Sequence, residues 1–261
     1  MDLELRGKAG LVIAGSKGLG RAIAEAWAAE GVEVAVLARS REALDLVEAF
    51  SAEGGGRIRG YVADLTDPAS VEAAMDRAVK DIGPIDLLLL NTGGPPASHA
   101  VGVDVALWES TYRELVLQLI QIAERCVPDM RARGFGRVLY IGSPGIVSPL
   151  PYVAMAQTMR AAMAVWLKAL AAQVGEDGVT INTIIPGMIE TERMWSLSKA
   201  RADLDGLTMD DHVRQTVSDV PLRRLGRPEE FAAVAAFLAS PKAAYVTGSL
   251  IRVDGGWIKA L

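Results

Sequence analysis

Short apolar runs alternate with longer amphipathic stretches along most of the chain. The runs are rich in Val, Ile, Leu and Ala and show little period-two alternation, which is typical of strands buried on both faces of a parallel sheet. The stretches between them carry apolar residues at helical spacing. The predicted strands are residues 9–14, 32–38, 57–62, 85–90, 136–141, 179–185 and 249–253, and the predicted helices are residues 21–30, 41–52, 67–82, 104–133, 151–175 and 228–239.

Regular alternation of strand and helix implies right-handed crossovers between parallel strands. The pattern therefore predicts an α/β fold: a Rossmann-like, doubly wound parallel sheet of seven strands with helices on both faces. No linker or change of composition divides the chain, so residues 1–261 are expected to form a single domain. Residues 190–220 are polar and mixed, without a clean period, and are expected to be irregular.

Composition and charge exclude several classes of protein. A hydrophobic fraction of 51% suits packed sheets and helices rather than a disordered chain, and a net charge of −5 argues against nucleic acid as a main partner. The single cysteine, Cys126, excludes an internal disulfide and a multi-cysteine metal site. We see no metal-site pattern, no apolar signal region and no run long enough to span a bilayer. We expect a cytoplasmic protein without a membrane partner.

A glycine-rich turn, Ile-Ala-Gly-Ser-Lys-Gly-Leu-Gly at residues 13–20, joins the first strand to the first helix. Glycines let a backbone approach a pyrophosphate, and a helix N-terminus supplies oriented N–H groups. Any tight turn can use glycine, but the strand–turn–helix context favours an NAD(P)-binding domain. The expected contacts come from Ala14, Ser16, Lys17, Gly18, Leu19 and Gly20.

The end of the second strand indicates which dinucleotide is bound. An acid at this point binds the ribose 2′-hydroxyl of NAD, whereas an arginine suits a 2′-phosphate. Here the strand ends at Ala38 and is followed by Arg39. Lys17 and Arg39 can bracket a 2′-phosphate, although both can also be ordinary solvated cations. The sequence predicts NADP(H) in preference to NAD(H).

These features, in this order, resemble the short-chain dehydrogenase/reductase family from about residue 7 to residue 257, including its many 3-oxoacyl-acyl-carrier-protein reductases. Ala14 stands where the family usually has its first glycine. Segments 63–65, 91–94, 185–191, 225–229 and 253–256 match further family motifs. The resemblance implies that the adenine, ribose and nicotinamide parts of the cofactor contact Asp64, Leu65, Asn91, Gly93, Pro186, Gly187, Ile189 and Thr191.

The family's catalytic pattern is incomplete in this chain. Members use a serine that stabilises the oxyanion, and a tyrosine whose proton transfer depends on a lysine four residues later. An asparagine on the preceding long helix completes the relay. Ser143 matches the serine, but the other positions fall at Ala156, Arg160 and, approximately, Val116. An arginine at the lysine position can still bind the ribose hydroxyls, but its pKa above ~12 prevents a lysine-type relay.

Several residues are candidates for the missing chemistry. The arginine and the turn at residues 92–95, Thr-Gly-Gly-Pro, are similar to a family subgroup without the tyrosine. Tyr152 is a candidate proton donor, with packing or a rim position as the alternative. His99 and His212 titrate in the useful range, or are simply surface histidines. The resemblance implies that residues 190–220 form a substrate lid. An apolar surface of this lid, or packing in the core or an interface, would account for Met188, Met194, Trp195 and Met209.

Two functional hypotheses follow. The first is an NADP(H)-dependent oxidoreductase, 3-oxoacyl-reductase-like, acting on the carbonyl or alcohol group of a small molecule. Ser143 polarises the oxygen, Arg160 holds the ribose, and the proton comes from water, Tyr152 or a histidine. The alternative is a cofactor-binding pseudoenzyme with a regulatory or structural role. The resemblance also implies a homotetramer or homodimer built from the two long helices and the last strand.

Overall fold

The computed structural model describes residues 1–150 and 152–260, and it confirms the predicted fold class and single domain. Seven strands form one sheet in the order β3-β2-β1-β4-β5-β6-β7, and every neighbouring pair is parallel. The strands are β1 (Ala9–Ile13), β2 (Glu33–Ala38), β3 (Ile58–Val62), β4 (Leu87–Leu90), β5 (Gly136–Ile141), β6 (Val179–Pro186) and β7 (Leu250–Val253).

Helices cover both faces of the sheet. They are α1 (Gly18–Ala29), α2 (Arg41–Glu48), α3 (Pro68–Ile82), α4 (Val105–Tyr112), α5 (Gln118–Ala132), α6 (Ala154–Val174), α7 (Glu192–Asp205), α8 (Met209–Ser218) and α9 (Pro228–Ala239). Residues of α3, α5 and α6 form one core, and residues of α1, α2 and α9 form the other. Within the described part of the chain, no helix is both long and apolar enough to cross a membrane.

The continuous apolar pattern of the strands reflects this double cover. In β1, Leu11 and Ile13 belong to the core on one face and Val12 to the core on the other. Successive side chains of a strand point to opposite faces. A central strand covered on both faces therefore needs apolar residues at every position, which explains why alternation is absent.

The predicted helix over residues 104–133 is interrupted. A π-helical turn, Arg113–Leu117, separates α4 from α5. The position aligned with the family's relay asparagine, Val116, lies buried within this turn. The apolar spacing does not reveal this turn, because a single π-helical turn shifts the apolar positions by only one residue. Pro128 lies near the end of α5.

Two boundaries differ further from the sequence prediction. The expectation that residues 190–220 are irregular is wrong, because they contain α7 and α8. Thr191 and Thr208 cap these helices by accepting hydrogen bonds from Met194 N and Asp211 N, both at 3.1 Å. The helix predicted over residues 151–175 begins, as α6, at Ala154, and Pro151 lies outside the described residues.

Candidate functional site

The order of the strands places a crevice at the carboxyl ends of β1 and β4, where the direction of winding reverses. Asn91, which follows β4, donates a hydrogen bond from Nδ2 to the carbonyl oxygen of Ala14, which follows β1, at 3.1 Å. The two predicted cofactor turns are therefore in direct contact. Asn91 acts here as a spacer that fixes the distance between them.

The glycine-rich turn forms a narrow cradle below the crevice. A Cβ atom on Gly20 would lie 2.9 Å from both Ala14 O and Asn91 Nδ2, so a larger residue would force the two turns apart. Ala14 itself adopts φ +50°, a conformation that favours glycine. Among the described residues, no side chain caps the N-terminus of α1 at Lys17. The first N–H groups of α1 therefore suit a pyrophosphate.

Lys17 has a carboxylate partner in this structure. Its Nζ lies 3.0 Å from Glu192 Oε2, in the first turn of α7, and both side chains are largely exposed. This ion pair joins the glycine-rich turn to the segment expected to form the lid. Close by, a Cβ atom on Gly18 would lie 3.6 Å from Thr191 Cγ2. The start of α7 and the glycine-rich turn are therefore neighbours across the crevice.

Charged groups gather at the predicted adenine end. Asp64 Oδ1 accepts hydrogen bonds from Thr66 N at 2.9 Å and Thr66 Oγ1 at 2.8 Å. These bonds, and the charge of Arg39, lower the pKa of Asp64, which therefore stays an ionised acceptor. Burial raises the pKa of Glu114, from the π-helical turn, and the charge of Arg39 acts against this rise. The sequence reasoning missed Glu114, because helical spacing alone does not show which charges lie near the turn.

The predicted nicotinamide wall is braced by the two C-terminal motifs. Gly187 N donates to Val253 O at 2.9 Å, and a Cβ atom on Gly187 would lie 2.4 Å from Asp254 Cα. Gly226 N donates to Met188 O, and Glu190 N donates to Gly226 O, both at 2.9 Å. The residues predicted to contact the cofactor, Pro186, Gly187, Ile189 and Thr191, therefore lie on one supported segment.

Ser143 follows β5 and is half-buried at the same edge of the sheet. Its Oγ accepts a hydrogen bond from Gly145 N at 3.2 Å, so the serine caps a short 3₁₀ turn, Pro144–Ile146. The hydroxyl is the acceptor in this bond. Its own proton is therefore available for a second oxygen. The capping role and a substrate contact are compatible.

Arg160 ties together the ends of β4 and β5. One terminal nitrogen donates to Ile141 O at 2.8 Å, and the other lies 3.4 Å from both Thr92 O and Gly93 O. Ala156 lies one helical turn earlier on α6, so a methyl group occupies the position of the family tyrosine. Tyr140, on β5, is fully buried and is a core residue, as its strand position predicts. Burial raises its pKa, and a hydrogen bond with Arg160 and its charge partly oppose this rise.

The other candidate donors lie further out. The Tyr152 side chain is 41% exposed, and the Arg201 guanidinium carbon lies 5.4 Å from the centre of its ring. Tyr152 is therefore a rim residue facing α7. His99 is exposed on the loop after β4, and His212 is half-buried on α8. Trp195 and Met209 line an open depression of about 320 Å³ between α7 and α8.

Arg193 is a residue of the cleft that the sequence reasoning missed. It lies in the first turn of α7 and donates to Pro95 O at 2.9 Å. Burial lowers its pKa, and the charge of Arg160 lowers it further. Thr191 followed by Glu192 is a typical helix start. That signal predicts a helix whose first turn carries Arg193 at the end of β6.

The fold and the crevice define a dinucleotide-binding protein of the Rossmann type. A family model described as enoyl-(acyl carrier protein) reductase matches residues 13–258. The 3-oxoacyl-[acyl-carrier-protein] reductase FabG of Vibrio cholerae is 30% identical over 256 residues, covering 97% of this chain and 98% of that protein. The nodulation protein G of Azospirillum brasilense is 32% identical over 254 residues, covering 95% and 97%. The chain belongs to the short-chain dehydrogenase/reductase family.

Solved structures agree with this assignment. The L-sorbose reductase of Gluconobacter frateurii, complexed with NADPH and L-sorbose, superposes with a TM-score of 0.93 at 30% identity and full coverage of both chains. An actinorhodin polyketide ketoreductase with NADPH gives a TM-score of 0.91 at 26% identity, covering 97% of this chain and 98% of that one. The whole chain therefore corresponds to one family domain.

Proposed function

We propose that this protein is an NADP(H)-dependent oxidoreductase that transfers hydride between the cofactor and a carbonyl or alcohol group of a small molecule. The main observation in support is the crevice between β1 and β4. Among the described residues, no side chain caps the N-terminus of α1 on one side of this crevice, and Ser143 lies on the other side. The named relatives and the two NADPH complexes support the same chemistry.

The residues of the crevice fit NADP(H) in a definite order. Residues 14–20 would hold the pyrophosphate, and Asp64 with Leu65 would contact the adenine. Arg39 holds the 2′-phosphate, together with Lys17 once Lys17 leaves Glu192. Bound NADPH supplies the hydride. We therefore expect tighter binding of NADPH than of NADH, by about tenfold or more, and loss of that preference in Arg39→Ala, measured by fluorescence titration.

The proton needs a source other than the family tyrosine. Ser143 donates its free hydroxyl proton as a hydrogen bond to the substrate oxygen and stabilises the charge that develops there. Arg160 keeps its own proton and holds the nicotinamide ribose against the ends of β4 and β5. Tyr152 lies at the rim beneath Arg201. We infer that water, entering the open cleft, delivers the proton.

A Ser143→Ala variant tests this assignment. We expect kcat for NADPH oxidation with an active aldehyde or ketone to fall about 100-fold, the typical effect of losing one oxyanion donor. NADPH affinity should stay unchanged, and Ser148→Ala, which changes an exposed serine five residues further along the chain, is the matched control. Undiminished turnover in Ser143→Ala would remove the serine from the mechanism.

We propose that α7 and α8 form the substrate lid. Burial anchors this pair weakly, since none of the α8 residues is buried, and the Lys17–Glu192 ion pair joins it to the cofactor turn. Hydrogen exchange should be faster in α7 and α8 than in α9, and NADPH should slow it. Equal exchange with and without NADPH would contradict a lid that responds to the cofactor.

The second candidate function is cofactor binding without turnover. It is favoured by Ala156, Arg160 and Val116, which replace the proton-transfer residues of the family. Both functions predict NADPH binding. They differ in whether the absorbance of NADPH falls during incubation with a broad panel of aldehydes and ketones. The absorbance stays constant only if the protein binds the cofactor without turnover.

A further inference from the structure

We propose that the substrate is an oxo acid, and that Arg193, assisted by Arg160, binds its carboxylate in the cleft beneath α7. The inference names the substrate class of the proposed function and rests on it. Its physical basis is a pair of guanidinium groups, from α6 and α7, that enclose the loop after β4 without a carboxylate between them.

The two arginines approach the same short stretch of backbone from different elements. Arg160 reaches the carbonyl oxygen of Gly93 and Arg193 that of Pro95. Arg193 also covers Gly94, where a Cβ atom would lie 2.9 Å from its terminal nitrogen. The guanidinium groups are close enough that the charge of one lowers the pKa of the other. Two like charges held together in this way favour an anion as ligand.

The protein leaves this positive charge without a counter-ion. The hydrogen bond of Arg193 goes to a backbone carbonyl oxygen, and those of Arg160 go to backbone carbonyl oxygens and to the Tyr140 side chain. Within residues 1–150 and 152–260 neither arginine forms an ion pair. Arg201, two turns further along α7, is paired with Asp205. The chain has 32 acidic and 27 basic side chains, so acidic partners are not scarce. The absence of a partner is therefore a local property of the cleft.

The nearest acidic side chain in sequence is engaged elsewhere. Glu192 precedes Arg193, but its carboxylate pairs with Lys17 at 3.0 Å. This contact removes the one residue of the α7 first turn that would otherwise neutralise Arg193. The remaining N–H groups of Arg193 are free to bind a planar carboxylate, for which the guanidinium fork is matched.

The position of the pair limits the size of the substrate. Arg160 donates to Ile141 O, two residues before Ser143, at 2.8 Å. Arg160, the assisting member of the pair, is therefore anchored to the end of β5, which leads directly to Ser143, the serine that polarises the carbonyl oxygen in the proposed reaction. A carboxylate and a carbonyl that meet these neighbouring groups belong to one short molecule, as in a 2-oxo or 3-oxo acid.

The test compares oxo acids with their uncharged methyl esters on the protein saturated with NADP⁺, a complex that cannot reduce them. Binding of each compound in a short-chain series is measured by isothermal titration calorimetry, which does not require turnover. We expect wild-type protein to bind at least one acid about tenfold or more tightly than its ester, and Arg193→Gln to lose that difference. Arg193→Lys should retain part of it. Lys199→Gln, which removes an exposed charge from the same helix, should change nothing.

The outcomes separate the substrate class from the proposed function. If an acid binds through Arg193 but its addition never leads to oxidation of NADPH, the carboxylate site is supported and the proposed oxidoreductase activity is contradicted. Turnover of uncharged carbonyl compounds, with no preference for acids, supports the oxidoreductase and overturns the carboxylate site. Failure of every acid to bind, or full affinity in Arg193→Gln while NADP⁺ affinity is normal, also overturns it.

Discussion

Ala14 adopts a left-handed backbone conformation, φ +50°, at the end of β1, where other family members usually have glycine. An L-residue in this region costs ~1–2 kcal/mol. Glycine avoids that cost but loses ~0.5–1 kcal/mol more conformational entropy on folding. The two effects nearly offset each other, with a small balance in favour of glycine.

We therefore predict that Ala14→Gly leaves the free energy of unfolding unchanged or raises it by up to ~1 kcal/mol. The same substitution at Ala73, exposed within α3, should lower it by ~1 kcal/mol. Urea denaturation of both variants measures the contrast. Equal losses at the two positions would show that the Ala14 conformation carries no strain.

The proton-transfer positions offer a second prediction at this scale. Ala156 and Arg160 lie on α6, one turn apart, in the spacing that the family uses for its tyrosine and lysine. We expect Ala156→Tyr combined with Arg160→Lys to raise kcat for carbonyl reduction, because the lysine charge favours the tyrosinate form and supplies acid–base catalysis. Such catalysis typically contributes ~100-fold or more.

The single variants are the controls. Ala156→Tyr beside Arg160 should gain less, because arginine does not relay protons. NADPH oxidation across pH 6–9 (about the range in which such a tyrosine changes its protonation state) should acquire a dependence that wild-type protein lacks. A double variant with wild-type activity and normal NADPH affinity would show that more than the proton machinery is missing.

Residues whose positions depend on their own strand or helix can be located from the sequence. Ser143 and Arg160 were located by counting from β5 and along α6, and the structure places both at the edge where β5 ends. The partner of Lys17 and the position of Arg193 were not predictable. Their contacts, with Glu192 and with the loop after β4, join residues 175 and 98 positions apart, which no local pattern encodes.

At the scale of elements, the sequence predicts correctly those strands that are buried on both faces of the sheet. The seven strands were recognised because the sheet is covered by helices on both faces, which imposes uninterrupted apolar runs. The helices α7 and α8 were missed because they bury few side chains, so their sequences need no regular apolar stripe. Their caps, Thr191 and Thr208, were the better signal.

The connection before α9 carries a pH-dependent prediction. A bidentate hydrogen bond from Arg224, and a second from Arg227 N, lower the pKa of Glu230 to about 2 from its ordinary 4.5. A carboxylate with a depressed folded-state pKa stabilises the fold fully above its unfolded-state value. That contribution is lost as the pH falls from about 4.5 towards 2.

Glu230→Gln should therefore reduce the urea midpoint at pH 7, and the difference from wild type should shrink as the pH is lowered from about 4.5 towards 3. The same variant should weaken NADPH binding, because Gly226, within this connection, braces Met188 and Glu190 beneath the predicted nicotinamide site. Glu229→Gln, an exposed neighbour, is the control. If the difference in urea midpoint between wild type and Glu230→Gln stays constant with pH, the ionic role of Glu230 is contradicted.

At the scale of the whole molecule, exposed apolar side chains on three elements bear on the assembly of the protein. Several lie on α4, α6 and β7, the elements from which the family resemblance implies a homotetramer or homodimer: Val105, Leu107, Tyr112, Val165 and Leu250. Val165 projects from the middle of α6 and is 72% exposed. Exposed apolar side chains that lie together in one patch mark contacts between chains.

We predict that wild-type protein is a homodimer or homotetramer and that Val165→Asp shifts it towards the monomer, measured by light scattering after size-exclusion chromatography. Burial of a valine contributes ~1.5–3 kcal/mol, and a symmetric contact loses this contribution on both chains while gaining two buried carboxylates. Val79→Asp, on the exposed side of α3, makes the same chemical change outside the expected interface and should leave the assembly intact. A monomeric wild type would contradict the predicted assembly. An assembly that tolerates Asp at position 165 would place the contact elsewhere. Because Arg160 shares α6 with Val165, a dissociated variant that still binds NADPH would further show that each chain builds its cofactor site alone.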